Sequence, residues 1–326
     1  MSPALHAALV DPLIPGLTAA LDGPTVVGFL RDAGIDAEHV VAEAIRYRTG
    51  ERCTIRYEIT TGIDVRVVFG KVFGRNAVEI AGAAASLAHE SRRDGRLPIM
   101  LPVVALVEQC GLVLFEGCPN PEEFHRIAVD ATVDPAVRSR RWRQLGTAIA
   151  SLHRSAVVGL QPRRATDDLA ELGSLAGVVG SIDTSLGVRF TKLLDRLSPL
   201  LSGTPRQLVP SHGALRTDQV LISNDRIVLV DLDDACLADP GRDVGNLVAY
   251  LEWKVIRGAA AATIVASAIN DFTTAYTAVK SLDDARLDDW RAASMLKIAG
   301  RRYKARQYDE LPLVPALLNA VETLIC

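Results

Sequence analysis

The sequence predicts an α+β fold of two lobes, an antiparallel sheet in the N-terminal part and a mainly helical C-terminal part. Three observations carry this expectation. Strand-like alternation of apolar and polar residues recurs between Val40 and Glu116. The run Gly117-Cys118-Pro119-Asn120-Pro121 then breaks all regular structure and marks a boundary. Beyond it, apolar residues recur mostly at helical spacing. The expected domains are therefore residues 1–117 and 118–326.

The elements follow in order. Pro12, Pro15 and Pro24 interrupt the first stretch, and Val26, Val27, Phe29 and Leu30 suggest an amphipathic helix before Gly34. Ala42 to Tyr47, the turn Thr49-Gly50-Glu51, and the alternation Cys53, Ile55, Tyr57, Ile59 make a hairpin. A third strand covers Val65 to Phe73 and carries one lysine, Lys71. A lysine within an apolar strand snorkels, pairs with a carboxylate or meets an anion, because an unpaired buried ammonium is costly. The alternative is an edge-strand lysine facing water. Ala77 to Ser91 reads as an Ala-rich helix, whose Glu79, or failing that Glu90, is the candidate partner of Lys71.

Two further strands, Leu101 to Glu108 and Gly111 to Gly117, complete the sheet. Helices are expected at Arg141 to Ser155, around Leu169 to Leu175, at Val188 to Leu201, and in three segments from Tyr250 to Tyr303.

Composition narrows the function. Hydrophobic residues make up 49% and charged residues 23%, values of an ordinary globular protein rather than a disordered or fibrous one. With a net charge of -3 and no basic stripe, nucleic acid is not an expected partner. No apolar run reaches the ~20 residues that span a bilayer, and no Lys or Arg precedes Arg31, so neither a membrane nor a secretory signal is expected and the cytoplasm is the expected location. The five cysteines are scattered and show no Cys-x-x-Cys spacing, which predicts buried free thiols rather than disulfides or structural zinc.

The richest chemistry lies between Leu208 and Leu247. Apolar runs Gln219 to Ser223 and Ile227 to Val230 flank the turn pair Asn224-Asp225 and predict a β-hairpin. His212, Arg216, Asp218 and Gln219 cluster at one outer end, and Asp231, Asp233 and Asp234 at the other. Carboxylate and amide oxygens at adjacent strand ends are hard ligands suited to Mg²⁺ against nucleotide phosphates, and an arginine in the same loop can neutralise phosphate charge. The alternative is a solvated loop with ordinary turn acids.

The segment Ser211 to Ile222, followed by Val228 to Val244, resembles the catalytic region of the aminoglycoside phosphotransferase and choline kinase family, small-molecule kinases of protein-kinase-like fold. Phe69-Gly70-Lys71-Val72 is similar to the family's nucleotide lysine strand, Leu112 to Cys118 to its interlobe linker, and Leu145 to His153 to the helix before the catalytic loop. The resemblance implies ATP and Mg²⁺ as cofactors and a small-molecule or peptide hydroxyl as acceptor. It implies that Lys71 contacts the α and β phosphates and that Glu116 and Cys118 offer backbone groups to adenine. Asp231 then chelates the metal, with Gln219 standing where the family has Asn. His212 braces the loop and Asp243 ties it to the following helix.

One position departs from the pattern. Ala214 stands where the family places its catalytic aspartate, and a methyl group cannot accept a proton. Three readings stand: a rewired loop in which Asp218 or Asp233 is the base, an inactivating substitution introduced by design, or a pseudokinase that binds nucleotide or a partner without turnover.

Overall fold

The computed structural model describes residues 9–203 and 207–325. They divide into two compact units, one running to Arg93 and including Ile99–Pro121, the other Asp94–Pro98 with Glu122 onward. Cys326, among the thiols expected to be buried, lies outside the described residues.

The first unit contains helices α1 (Leu17–Leu21) and α2 (Gly23–Asp32), strands β1 (His39–Arg48), β2 (Arg52–Thr61) and β3 (Asp64–Phe73), helix α3 (Ala77–Arg93), and strands β4 (Ile99–Met100), β5 (Val103–Val107) and β6 (Leu112–Glu116). Asp22 starts α2 by accepting the Thr25 amide at 3.0 Å, with a proline in the first turn. Five strands form an antiparallel sheet in the order β1-β2-β3-β6-β5. The alternation in β2 is borne out, since Cys53, Ile55, Tyr57 and Ile59 are all buried against α1 and α2 through one apolar cluster with Val26, Leu30 and Val72. On the opposite face Phe73 and Val113 pack beneath Ala77 and Ala81 of α3. Small residues at those helix positions let α3 lie close to the strands.

The second unit contains β7 (Glu122–Glu123), α4 (Phe124–Ala128), α5 (Pro135–Arg154), α6 (Ala165–Ile182), α7 (Thr184–Ser202), β8 (Val209–Ser211), β9 (Val220–Ser223), β10 (Arg226–Leu229), β11 (Cys236–Ala238), α8 (Pro240–Ile256), α9 (Ala262–Thr277), α10 (Asp284–Lys304) and α11 (Val314–Leu324). Several helices begin well before their apolar periodicity does. Asp134 caps α5 on Ala136 N at 2.7 Å and Asp239 caps α8 on Gly241 N at 2.9 Å, each followed at once by proline. An Asp-Pro pair is thus a stronger start signal here than the apolar periodicity, which sets in only after the first turns of both helices. The hairpin expected around Asn224-Asp225 is present as β9 and β10, with both turn residues at positive φ (49° and 61°) as a two-residue turn requires. Strands β8 and β11 pair over only three residues, too few to register as a pattern in the sequence.

One apolar cluster, built on Leu172, Val179, Phe190, Leu197, Trp253, Leu296 and Leu317, joins α6, α7, α8, α10 and α11. A second contact sets the position of His153. Helix α5 lies directly on α9 because position 146 is glycine: a Cβ there would meet Phe272 O at 2.3 Å. Trp142 and Phe272 then meet edge to face, Phe272 stacks on Tyr276, and Tyr276 comes to rest against His153. No helix among the described residues is long and apolar enough to cross a membrane.

Candidate active site

The loop from His212 to Gln219 leaves β8 and returns into β9, and the first turns of α8 hold it almost residue by residue. Asp243 is fully buried; it accepts the His212 amide at 2.7 Å and the Gly213 amide at 2.8 Å. Arg242 donates to Gly213 O, and Asn246 Nδ2 donates to Leu215 O at 2.8 Å. His212 turns its Nε2 to Val230 O, 3.0 Å away, and so links the loop to the end of the hairpin. Gly213 has φ +86, and a Cβ on it would lie 1.8 Å from Asp234 O; only glycine lets the loop pass this strand end.

The same carboxylate reaches back to α5. His153 Nε2 lies 3.3 Å from Asp243 Oδ2, and His153 Nδ1 lies 2.7 Å from the Tyr276 hydroxyl. The neutral tautomer satisfies both contacts, with Nε2–H donating to Asp243 and the Tyr276 hydroxyl donating to Nδ1. Burial works against the charge on Asp243, but the hydrogen bond from His153 and the charge of Arg242 help to outweigh it, so its carboxyl is held below the usual range.

Arg242 is itself anchored: its Nε donates to Asp168 Oδ2 at 3.0 Å, and Asp168 also takes Arg163 at 2.8 Å. This buried charge cluster, which Lys297 and Arg301 extend through Glu171, was not foreseen from the sequence. Its members are scattered over α6, the segment before it, α8 and α10, and only the tertiary fold brings them together.

Gln219 and Asp231 are brought together as the sequence suggested. Gln219 is 4% exposed and its Nε2 donates to Asp231 Oδ2 at 3.2 Å. Its other amide atom, Oε1, is buried with no hydrogen-bond partner. Asp231 sits in the left-handed region (φ 64, ψ 49), uncommon for residues with a side chain although Asn and Asp enter it more readily than most. An orphaned buried acceptor beside a carboxylate on a strained turn fits a divalent cation completed by phosphate oxygens, since Mg²⁺ of this kind takes one or two carboxylates from the protein. Among the described residues no group of three or more His, Cys, Asp or Glu could hold a metal by itself.

Of the other expected residues in this unit, Arg216 Nε lies 3.2 Å from Asp218 Oδ1, close enough for charge attraction but out of line for a hydrogen bond. The guanidinium rests on the Tyr250 ring, 5.1 Å from its centre. Burial alone would weaken its charge, and Asp218, Tyr250 and Asp231 more than restore it. Asp233 is half-buried in the turn after Asp231, and Ala214 is partly exposed between the tied residues Gly213 and Leu215.

In the first unit, Lys71 lies on β3 between Thr54 of β2 and Val113 of β6. Because β3 is interior, the edge-strand alternative does not hold. Alternation puts Lys71 on the same face as Phe73, the face covered by α3. Glu79 is exposed in the first turn of α3, while Glu90 has a side chain 14% exposed and binds Arg93 at 2.8 Å. Glu116 ends β6 and forms an ion pair with Arg66; Cys118, two residues on, is a half-exposed free thiol.

Sequence reasoning missed Tyr276, Arg242, Asn246 and Tyr250. A signal for the last three was present: Arg242, Asn246 and Tyr250 recur at every fourth residue directly after an Asp-Pro helix start, one polar stripe on an otherwise buried helix.

With this architecture the chain belongs to the phosphotransferase enzyme family, whose sequence profile matches residues 56–282, more than half its length. No sequence among the curated proteins matches it. Solved structures with a similar fold include a putative aminoglycoside phosphotransferase from Ralstonia eutropha (TM-score 0.64, 14% identity, covering 92% of this chain and 97% of that one). Choline kinase from Cryptosporidium parvum is similar over 92% of this chain and 94% of its own (TM-score 0.64, 11% identity). Amicoumacin kinase hAmiN, solved in complex with AMP-PNP, Ca²⁺ and Ami, is similar over 86% of this chain and 88% of its own (TM-score 0.62, 14% identity). At these identities the likeness establishes the fold, which is protein-kinase-like.

Proposed function

We propose that this chain is an ATP- and magnesium-dependent phosphotransferase acting on a hydroxyl of a small molecule or peptide. The Gln219–Asp231 pair carries the reading: a buried amide oxygen without a partner beside a carboxylate, on a loop whose backbone is fixed by a buried Asp243. Nucleotide complexes solved for proteins of similar fold support it. In this reading residues 1–117 supply the nucleotide lobe and 118–326 the acceptor lobe. Lys71 binds the α and β phosphates, Glu79 or Glu90 steadies it, and Glu116 and Cys118 present backbone groups to the base.

Asp231 and Gln219 Oε1 would hold Mg²⁺, which when bound neutralises the charge of the transferring phosphate. Arg216 adds positive charge on the same loop, and Asp218 or Asp233 takes the acceptor proton in place of the missing base at Ala214. A cytoplasmic setting agrees with the four described cysteines, all of which are free.

Ala214 favours a second reading, a pseudokinase that binds nucleotide without turnover. Calorimetry with ATP and ADP, with and without magnesium, tests the first step; a wild-type protein as silent as Lys71→Ala toward every nucleotide overturns both readings. A screen of hydroxyl acceptors with labelled ATP, run beside Ala214→Asp, separates them. Transfer by the wild type that is abolished in Asp231→Ala excludes the pseudokinase. If the site lacks only its base, Ala214→Asp raises turnover by about 10²- to 10⁴-fold.

A further inference from the structure

The polar stripe on α8 continues for one more turn, to Lys254. Residues four apart on a helix are neighbours on one face, and here the stripe tracks the catalytic loop in step with it. Arg242 holds Gly213 O, Asn246 holds Leu215 O, and the Tyr250 ring lies under Arg216. Lys254, next in the row, lies one helical turn beyond Tyr250 and feels the charge of Asp218.

Its situation differs from that of the other cations nearby. Arg257, the adjacent base, is taken by Glu310 at 2.8 Å. Arg242 is taken by Asp168. Lys254 is half-buried and has no hydrogen bond or ion pair among the described residues. Burial first, then Arg257, pushes its pKa down, with Asp218 opposing. Asp218 acts on both Lys254 and Arg216, but its side chain is 47% exposed and it meets Arg216 only out of line, while Arg216 also feels Asp231. A half-buried ammonium without a partner is an unfavourable arrangement that an incoming anion relieves.

Gln219 turns inward to Asp231, whereas its neighbour Asp218 turns outward to Arg216. An anion seated on Arg216 and Lys254 would lie on the Asp218 side of the loop, next to the Gln219–Asp231 pair.

We propose that Arg216 and Lys254 form an anion receptor at the end of the catalytic loop, so that the acceptor carries a carboxylate or a phosphate ester besides the hydroxyl to be phosphorylated. The proposal rests on the phosphotransferase reading above and names its substrate class. Tyr250 is the positioning residue, holding the Arg216 guanidinium in place through its ring face.

The test uses full-length protein and matched probes: glycerate against glycerol and ethanolamine, gluconate and glucose 6-phosphate against glucose and glucosamine. Binding is titrated calorimetrically in wild type, Lys254→Met and Lys254→Arg, with and without ADP and magnesium, and ATP and ADP are titrated separately. The expected result is that at least one anionic probe binds about tenfold or more tightly than its neutral and cationic counterparts, a margin that Lys254→Met removes and Lys254→Arg keeps. The carboxylate and phosphate arms tell the two anion types apart, and ADP affinity stays the same in all three proteins.

Preference for neutral or cationic probes, no binding of any anionic probe, or anion affinity indifferent to Lys254→Met overturns the proposal. Loss of affinity for ATP but not ADP in Lys254→Met also overturns it, by assigning the lysine to the terminal phosphate. Failure of the wild type to bind any nucleotide counts against the phosphotransferase reading instead, and the anion titrations without nucleotide are still read on their own.

Discussion

Asp243→Asn is the most informative single change, because it keeps shape while removing charge from the residue that holds the loop. The wild-type carboxylate accepts from His212 N, Gly213 N and His153 Nε2 at 2.7, 2.8 and 3.3 Å, all in a fully buried setting. An amide has one carbonyl oxygen, so its NH₂ must face at least one of these donors. Leaving one buried donor unmade costs about 1–3 kcal/mol. The bonds that survive lose their charge assistance, roughly half their strength. The sum is about 3–5 kcal/mol, in line with the loss of one partner of a buried pair.

The three tryptophans report on this directly, since Trp142, Trp253 and Trp290 are all buried in the second unit. In urea followed by their fluorescence, with a slope of about 2 kcal/mol/M, the midpoint falls by about 1.5–2.5 M. The pH dependence has a definite sign. Asp243 has its folded pKa depressed below the ordinary carboxylate value, so its contribution is present above that value and is lost as pH falls through the folded one. The contribution of the carboxylate to the difference between wild type and Asp243→Asn is therefore full above the ordinary carboxylate value and is lost only below about pH 4. A midpoint shift under about 0.5 M at neutral pH would refute the reasoning, because the loop would then be held by something other than this carboxylate.

Two further outcomes follow from the geometry. Gly213→Ala forces a Cβ onto Asp234 O at a φ of +86, so it destabilises the second unit by more than ~1 kcal/mol in the same urea titration, whereas Ala214→Gly, at a partly exposed position, changes it far less. Site-resolved alkylation followed by mass spectrometry finds Cys118 modified fastest among the described thiols, because burial pushes Cys53 and Cys236 up to about 11 and also raises Cys110. If Cys118 lies beside the nucleotide base, saturating ADP slows its alkylation; an unchanged rate with ADP bound removes Cys118 from the site.

How much of this was legible beforehand depends on the range of the interaction. Strands β2 and β3, the β9–β10 hairpin and the helical C-terminal part were readable because each is specified by local periodicity or a turn pair. The helix starts at Pro135 and Pro240 lie outside the apolar periodicity and are marked only by an Asp-Pro cap. The pairing of Gln219 with Asp231 was foreseen from a hairpin that returns the chain upon itself, so twelve residues of sequence become a 3.2 Å contact.

By itself the sequence determined the order of elements, the turn at Asn224-Asp225, the loop residues that carry charge, and the methyl group of Ala214 where a base was expected. Only the tertiary structure decided that Asp243 serves His212, Gly213 and His153 at once, that Tyr276 completes that contact from α9, and that Lys254 is left half-buried beside Asp218. The physical reason is that these arrangements depend on burial and on partners distant in sequence: a carboxylate or an ammonium has the same formula in solvent and in a core, and its energy is set by what the fold packs around it.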